Sequence, residues 1–90
     1  MITIQDVQNK VRDLLINEFS GGAKIAEISV AFARLDWRCI TKDDGAELGI
    51  ADAIIEAVDT SRDMDILEYG WPMGEGMIRT KFFIYFKYKG

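Results

Sequence analysis

Asp52 and Glu56 stand four residues apart, so on a helix their carboxylates would share one face. Such a pair could exchange a proton or hold Mg²⁺. The same spacing is also that of an ordinary solvated helix face, and general surface composition favours this plainer reading. A second acidic series, Asp59, Ser61, Asp63 and Asp65, has the alternate-residue spacing of a calcium loop. Met64 stands where that loop needs glycine and Gly70 where it needs a bidentate glutamate, so no calcium site is expected. Gly74-Glu75-Gly76 lacks the third glycine, the lysine and the strand-to-helix context of a phosphate-binding loop, and reads as a turn.

The chain has no histidine, which removes the commonest general base, the histidine-assisted serine and cysteine nucleophiles and ordinary zinc sites. Its one cysteine, Cys39, lies between Arg38 and Ile40 with no general base to activate it as a nucleophile, and is expected to be a small buried hydrophobe in a strand. No internal disulfide can form, which fits a reducing compartment. No catalytic residue, cofactor or metal ion is therefore expected, and the chain reads as a non-enzymatic protein.

Binding chemistry is better supplied. The stretch Arg79 to Gly90 holds five of the ten aromatic residues and four of the eleven bases, without an acid. Residues 1–78 carry the other seven bases and all fifteen acids, so a chain of net charge −4 has one positive strip. Residues 43–59 show the opposite bias, with six acids and no base. Aromatic residues and arginine are enriched at interface centres. Tyr69, Trp71, Phe83 and Tyr85 are candidate anchors, Arg79 and Lys81 candidate electrostatic contacts, and Asp52 and Glu56 candidate contacts for a basic partner.

The elements that must position these residues follow from periodicity. Thr3 and Asp6 resemble a capping box, and Val7, Val11, Leu14 and Leu15 form a helical stripe, predicting a helix from about Ile4 to Phe19 ended by Ser20-Gly21-Gly22. Gln8, Asn9, Arg12, Asp13 and Glu18 are expected to face away from the core. Residues 23–35 fit either a strand, on Ile28, Val30 and Phe32, or a helix, on Ile25, Ile28, Phe32 and Leu35. The strand is preferred, because Trp37, Cys39 and Thr41 continue a period of two in the opposite phase. Lys42 to Gly45 reads as a turn that caps a second helix from about Ala46 to Asp59, with Leu48, Ala51, Ile54, Ile55 and Val58 inward.

Arg62 to Trp71 reads as a strand, joined through the loop Pro72 to Gly76 to the terminal strand. If Trp71 pairs with Met77, Ile66 faces Phe82 and Met64 faces Ile84, while Leu67, Tyr69 and Trp71 share the other face with Arg79, Lys81, Phe83 and Tyr85. The even positions of the terminal strand are the inward ones.

Ninety residues fit a single domain, residues 1–90. The expected fold is α+β, with two helices on one face of a four-stranded, mainly antiparallel sheet in the order αββαββ. No apolar run is long enough to span a membrane, and no secretory leader is visible, so a cytoplasmic protein is expected. An open aromatic sheet face marks an interface. The functional expectation is a small acidic interaction domain, an inhibitor or accessory protein, that binds another macromolecule and forms a homodimer through that face. Two alternatives stand beside it: single-stranded nucleic acid held by the basic aromatic strand, and a small cationic ligand near Asp63, Asp65 and Trp71.

Overall fold

The computed structural model describes residues 2–37, 39–42, 44–68 and 84–90. In chain order its elements are β1 (Ile2–Thr3), α1 (Ile4–Asn17), β2 (Gly22–Lys24), α2 (Ile25–Arg34), β3 (Ile40–Thr41), β4 (Glu47–Leu48), α3 (Ile50–Asp59), β5 (Met64–Glu68) and β6 (Ile84–Tyr88). The class is α+β, as the composition and periodicities predict. The finer expectation is corrected: three helices stand among the described residues, and the strands form two small three-stranded sheets. One sheet is mixed, in the order β1-β3-β4. The other is antiparallel, in the order β2-β6-β5.

Helix α1 begins as its sequence predicts. Thr3 Oγ1 accepts from the Asp6 backbone N–H at 3.2 Å, and the Asp6 carboxylate accepts from the Thr3 N–H at 2.9 Å. These two reciprocal bonds satisfy donors that a helix start leaves without partners. Val7, Val11, Leu14 and Leu15 are buried, as their spacing requires. After the last turn the chain reverses through Ser20 (φ 54°) and Gly21 (φ 101°), both in the left-handed region that glycine enters without steric cost.

Residues 25–34 form a helix, and the strand preferred from the sequence is not there. Ile25, Ile28 and Phe32 are buried on one helical face, while Val30 is 52 % exposed. A strand would have buried Val30 beside Ile28 and Phe32, so the stripe of period 3.6 prevails over the alternation. The helix ends in a Schellman arrangement with Asp36 at φ 57°: Trp37 N–H donates to Phe32 O, and Asp36 N–H to Ala33 O. The Trp37 and Phe32 rings meet at 5.3 Å and 59°, the apolar contact that accompanies such an ending.

Cys39 is exposed, at φ 55°, which corrects the expectation of a buried strand residue. The strand starts one residue later, and Ile40 takes the buried position between Ile2 and Leu48. The turn after it forms where expected, with Gly45 at φ 87° and Gly45 N–H donating to Lys42 O. It closes the β3–β4 hairpin instead of capping a helix. Helix α3 starts at Ile50, behind Gly49, and buries Ala53, Ile54, Ala57 and Val58.

Strand β6 is central in its sheet, paired with β2 and β5 on its two sides. Met64 pairs with Tyr88 and Ile66 with Phe86, four positions from the expected partners. A slip by an even number preserves the faces. Met64 and Phe86 therefore point into the core as anticipated, and Ala23 lies opposite Phe86. The expected loop Pro72 to Gly76 and the pairing of Trp71 with Met77 lie outside the described residues. Buried side chains from all three helices join those of β2, β3, β5 and β6 in one hydrophobic cluster.

Candidate functional site

Helix α3 packs against α1 and carries its acids outside its buried stripe. Asp52 in its first turn and Asp59 in its last are exposed, and Glu56 between them is half-buried. The acids Asp44 and Glu47 of the adjoining hairpin are exposed as well. Among the described residues the side chains of Glu47, Glu56 and Asp59 make no hydrogen bond or ion pair, and Asp44 accepts from the Ala46 N–H at the tip of its own turn (3.0 Å). The pair singled out from the sequence, Asp52 and Glu56, thus belongs to a broader acidic surface.

A seam that periodicity alone assigns to solvent joins the same helices on the α1 side. Gln8 Nε2 donates to Ala57 O at 3.1 Å and to Thr60 Oγ1 at 2.9 Å, while Thr60 Oγ1 donates to Glu56 O at 2.8 Å. The last carbonyls of a helix lack intrahelical donors, and no base stands in the last turn of α3, so Gln8 supplies one from α1. Arg12 makes a forked contact with Asp63, with Nε donating to Oδ2 and Nη2 to Oδ1 at 2.9 Å; its Nη1 donates to Asn9. The Arg12 guanidinium, with the Ser61 hydroxyl second, holds the Asp63 carboxyl well below the usual carboxylate range. Asp65 pairs with Lys89 at 3.2 Å. Two members of the calcium-like series, which are also two members of the suggested cationic-ligand site, are thereby engaged by bases of the chain itself. Among the described residues, no cluster of three or more His, Cys, Asp or Glu could hold a metal ion.

The outer face of the β2-β6-β5 sheet carries Tyr85, opposite Leu67 on one side and Lys24 on the other, and Lys87, opposite Asp65 and Gly22. The Tyr85 ring lies across Gly22, where an added Cβ would collide with the phenol. The glycine is thus what admits the ring so close to the sheet. Leu67 is 45 % exposed beside it. Tyr69, Trp71, Arg79, Lys81 and Phe83, the other residues assigned to this face from the sequence, lie outside the described residues.

A cleft of about 450 Å³ opens between the start of α1 (Gln5, Gln8), the β3–β4 turn (Lys42, Asp44) and the end of α3 (Glu56, Thr60). Nothing in the sequence pattern announces it, because it is assembled from three separated segments. The described residues include no helix long and apolar enough to cross a membrane. The chain matches no protein-family model, and no curated protein or solved structure was found to be similar to it.

Proposed function

We propose that the chain is a non-enzymatic interaction domain that binds a basic macromolecule through the acidic surface of α3 and the β3–β4 hairpin. The observation that carries this reading is the concentration of Asp44, Glu47, Asp52, Glu56 and Asp59 on neighbouring elements, with three of the five carboxylates free of any partner among the described residues. Fold stability does not select this pattern, since Glu56 and Asp59 lie toward the negative end of the α3 dipole. Helices α2 and α3, separated by the β3–β4 hairpin, precede the antiparallel pair β5–β6; in helix-turn-helix proteins, where a short turn joins the two helices, the second helix enters the DNA major groove. Here that helix is α3, whose sequence from Ile50 to Asp59 holds three acids and no base. It would repel phosphates and attract the kind of protein that binds them.

The test is capture of immobilised polylysine, as a model basic chain, over a series of salt concentrations. Wild-type protein is expected to be retained at low salt and released as salt rises. The double variant Asp52→Lys, Glu56→Lys should stay folded by circular dichroism and lose retention. Equal retention of the folded variant would refute the acidic-surface reading.

The outer sheet face supports self-association as a second property of the same domain. Leu67 and Tyr85 are apolar neighbours there, and lysines surround them. Light scattering on wild-type and Tyr85→Glu protein tests it: a dimer that becomes a folded monomer is the expected result, and a wild-type monomer contradicts it. Single-stranded nucleic acid remains the competing use of this face, on the strength of Lys24, Tyr85 and Lys87 side by side. A fluorescent oligonucleotide that fails to bind at low salt eliminates that use.

A further inference from the structure

The cleft between α1, the β3–β4 turn and α3 holds two opposite charges that do not meet. Lys42 and Glu56 both line it, yet neither side chain forms an ion pair or a hydrogen bond among the described residues. Two such groups on walls of one cleft are arranged to be bridged by something other than each other. Their positions are fixed by the fold. The parallel pairing of Ile2 with Ile40 and Thr3 with Thr41 leads directly on to Ile4 and Lys42, so Lys42 stands at the first turn of α1. Glu56 stands one turn before Thr60, at the last turn of α3.

We propose that this cleft binds a small zwitterion of the size of an amino acid or dipeptide, with its carboxylate toward Lys42 and its ammonium toward Glu56. The volume, about 450 Å³, lies within the usual range of small-molecule sites. The dipole of α3 has its negative end on the Glu56 side, and the dipole of α1 its positive end on the Lys42 side, so both reinforce the polarity set by the side chains. Asp44 also lines the cleft, and its Oδ1 is committed to the Ala46 N–H. Its charge narrows the anion-accepting end to the immediate vicinity of Lys42. Gln5 and Gln8 supply neutral lining. Gln8 Nε2 is engaged by Ala57 and Thr60, so its amide is held in a set orientation with its oxygen as an acceptor. This site is distinct from the macromolecular surface except for Asp44 and Glu56, which border both.

The experiment is a titration of the ¹⁵N-labelled full chain, followed by amide chemical shifts, with glycine, β-alanine and glycylglycine as zwitterions of increasing charge separation. N-acetylglycylglycine and glycylglycinamide serve as probes with one charge each. Saturable shifts at Gln5, Gln8, Lys42 and Thr60 are expected with at least one zwitterion at millimolar concentration, and about tenfold weaker binding of both singly charged probes, as for loss of one charged hydrogen bond. Lys42→Ala and Glu56→Gln should each weaken the best zwitterion by about tenfold, whereas Lys10→Ala, on the other side of α1, should leave it unchanged. Because the side chains of Lys42 and Glu56 have no partner among the described residues, both variants are expected to keep a dispersed folded spectrum. No saturable shift with any zwitterion overturns the proposal, as does equal affinity for the singly charged probes. Polylysine retention by Lys42→Ala reports the acidic surface separately, so failure of one reading does not decide the other.

Discussion

The two sides of α3 treat charge in opposite ways. At the seam with α1, polar groups are matched within the chain: Gln8 reaches Ala57 and Thr60, and Arg12 grips Asp63, itself also bonded by Ser61. Outside the seam, Glu47, Glu56 and Asp59 are without partners among the described residues, and so is Lys42 across the cleft. The lesson is about which charges belong to the fold. A partly buried charge matched inside the molecule has little interaction left for a ligand. Acids left unmatched beside a helix C-terminus contribute nothing to the helix, and they are the groups the proposed basic partner would use.

The largest expected effect comes from breaking the matched side. Arg12→Met keeps the aliphatic stem but removes the fork from Asp63, and it should cost about 1–2 kcal/mol, the range for a half-buried charged hydrogen-bond pair. For a chain of this size that lowers Tm by roughly 4–15 °C. The pH dependence sharpens the assignment. Asp63 is held below its unfolded value, so its contribution is complete above the ordinary aspartate range near pH 4 and is lost as pH falls toward the depressed folded value. Urea unfolding of wild-type protein from pH 5 downward should show this loss. Arg12→Met should flatten that acid limb, and an unchanged limb would mean that other carboxylates set it.

Some of this division was legible in the sequence, for identifiable reasons. Helix α1 could be read because its start and its apolar stripe agree: Thr3 and Asp6 cap it, and Val7, Val11, Leu14 and Leu15 bury. The faces of β6 could be read because parity survives a slip of register, whereas the register depends on a connection whose length the turn residues did not fix. Residues 25–34 misled because Ile28, Val30 and Phe32 satisfy both periods over a short window. Only burial separates them, with Phe32 inside and Val30 outside.

Gln8 and Arg12 were missed because an amphipathic pattern does not separate a polar residue facing water from one facing another helix's carbonyls. A signal was present in α3. Its last turn holds Glu56 and Asp59 and no base, so its terminal carbonyls had to find donors elsewhere. Asp52 is exposed and Glu56 half-buried, in keeping with an acidic side of this helix outside its apolar stripe. The cleft was invisible, because Gln5, Lys42 and Glu56 come together only through the β1–β3 pairing and the packing of α1 on α3.

A second cut in the seam, Gln8→Leu, should cost about 0.5–1.5 kcal/mol, since the Ala57 carbonyl loses a donor while the apolar part of the side chain is kept. Its expected signature differs from that of Arg12→Met. It should lower the urea midpoint equally at pH 7 and at pH 4, because no charge is involved. Hydrogen exchange should report faster opening at the end of α3, where Thr60 N–H donates to Glu56 O. Protection at that end equal to wild type would show that water replaces Gln8 without loss.

The smallest effect is expected on the unmatched side, and it has the opposite sign. Asp59→Lys replaces an acid at the negative end of the α3 dipole with a base that interacts favourably with the terminal carbonyls, and it should stabilise by about 0.3–1 kcal/mol at low salt. The gain should shrink as ionic strength rises, because the residue is exposed. At the same time the variant should lose part of its salt-sensitive retention on polylysine. A gain in stability joined to a loss in binding is what separates a residue kept for a partner from one kept for the fold. If Asp59→Lys destabilises the chain, Asp59 has a structural role comparable to that of Asp63, and the contrast between the two sides of α3 fails at that position.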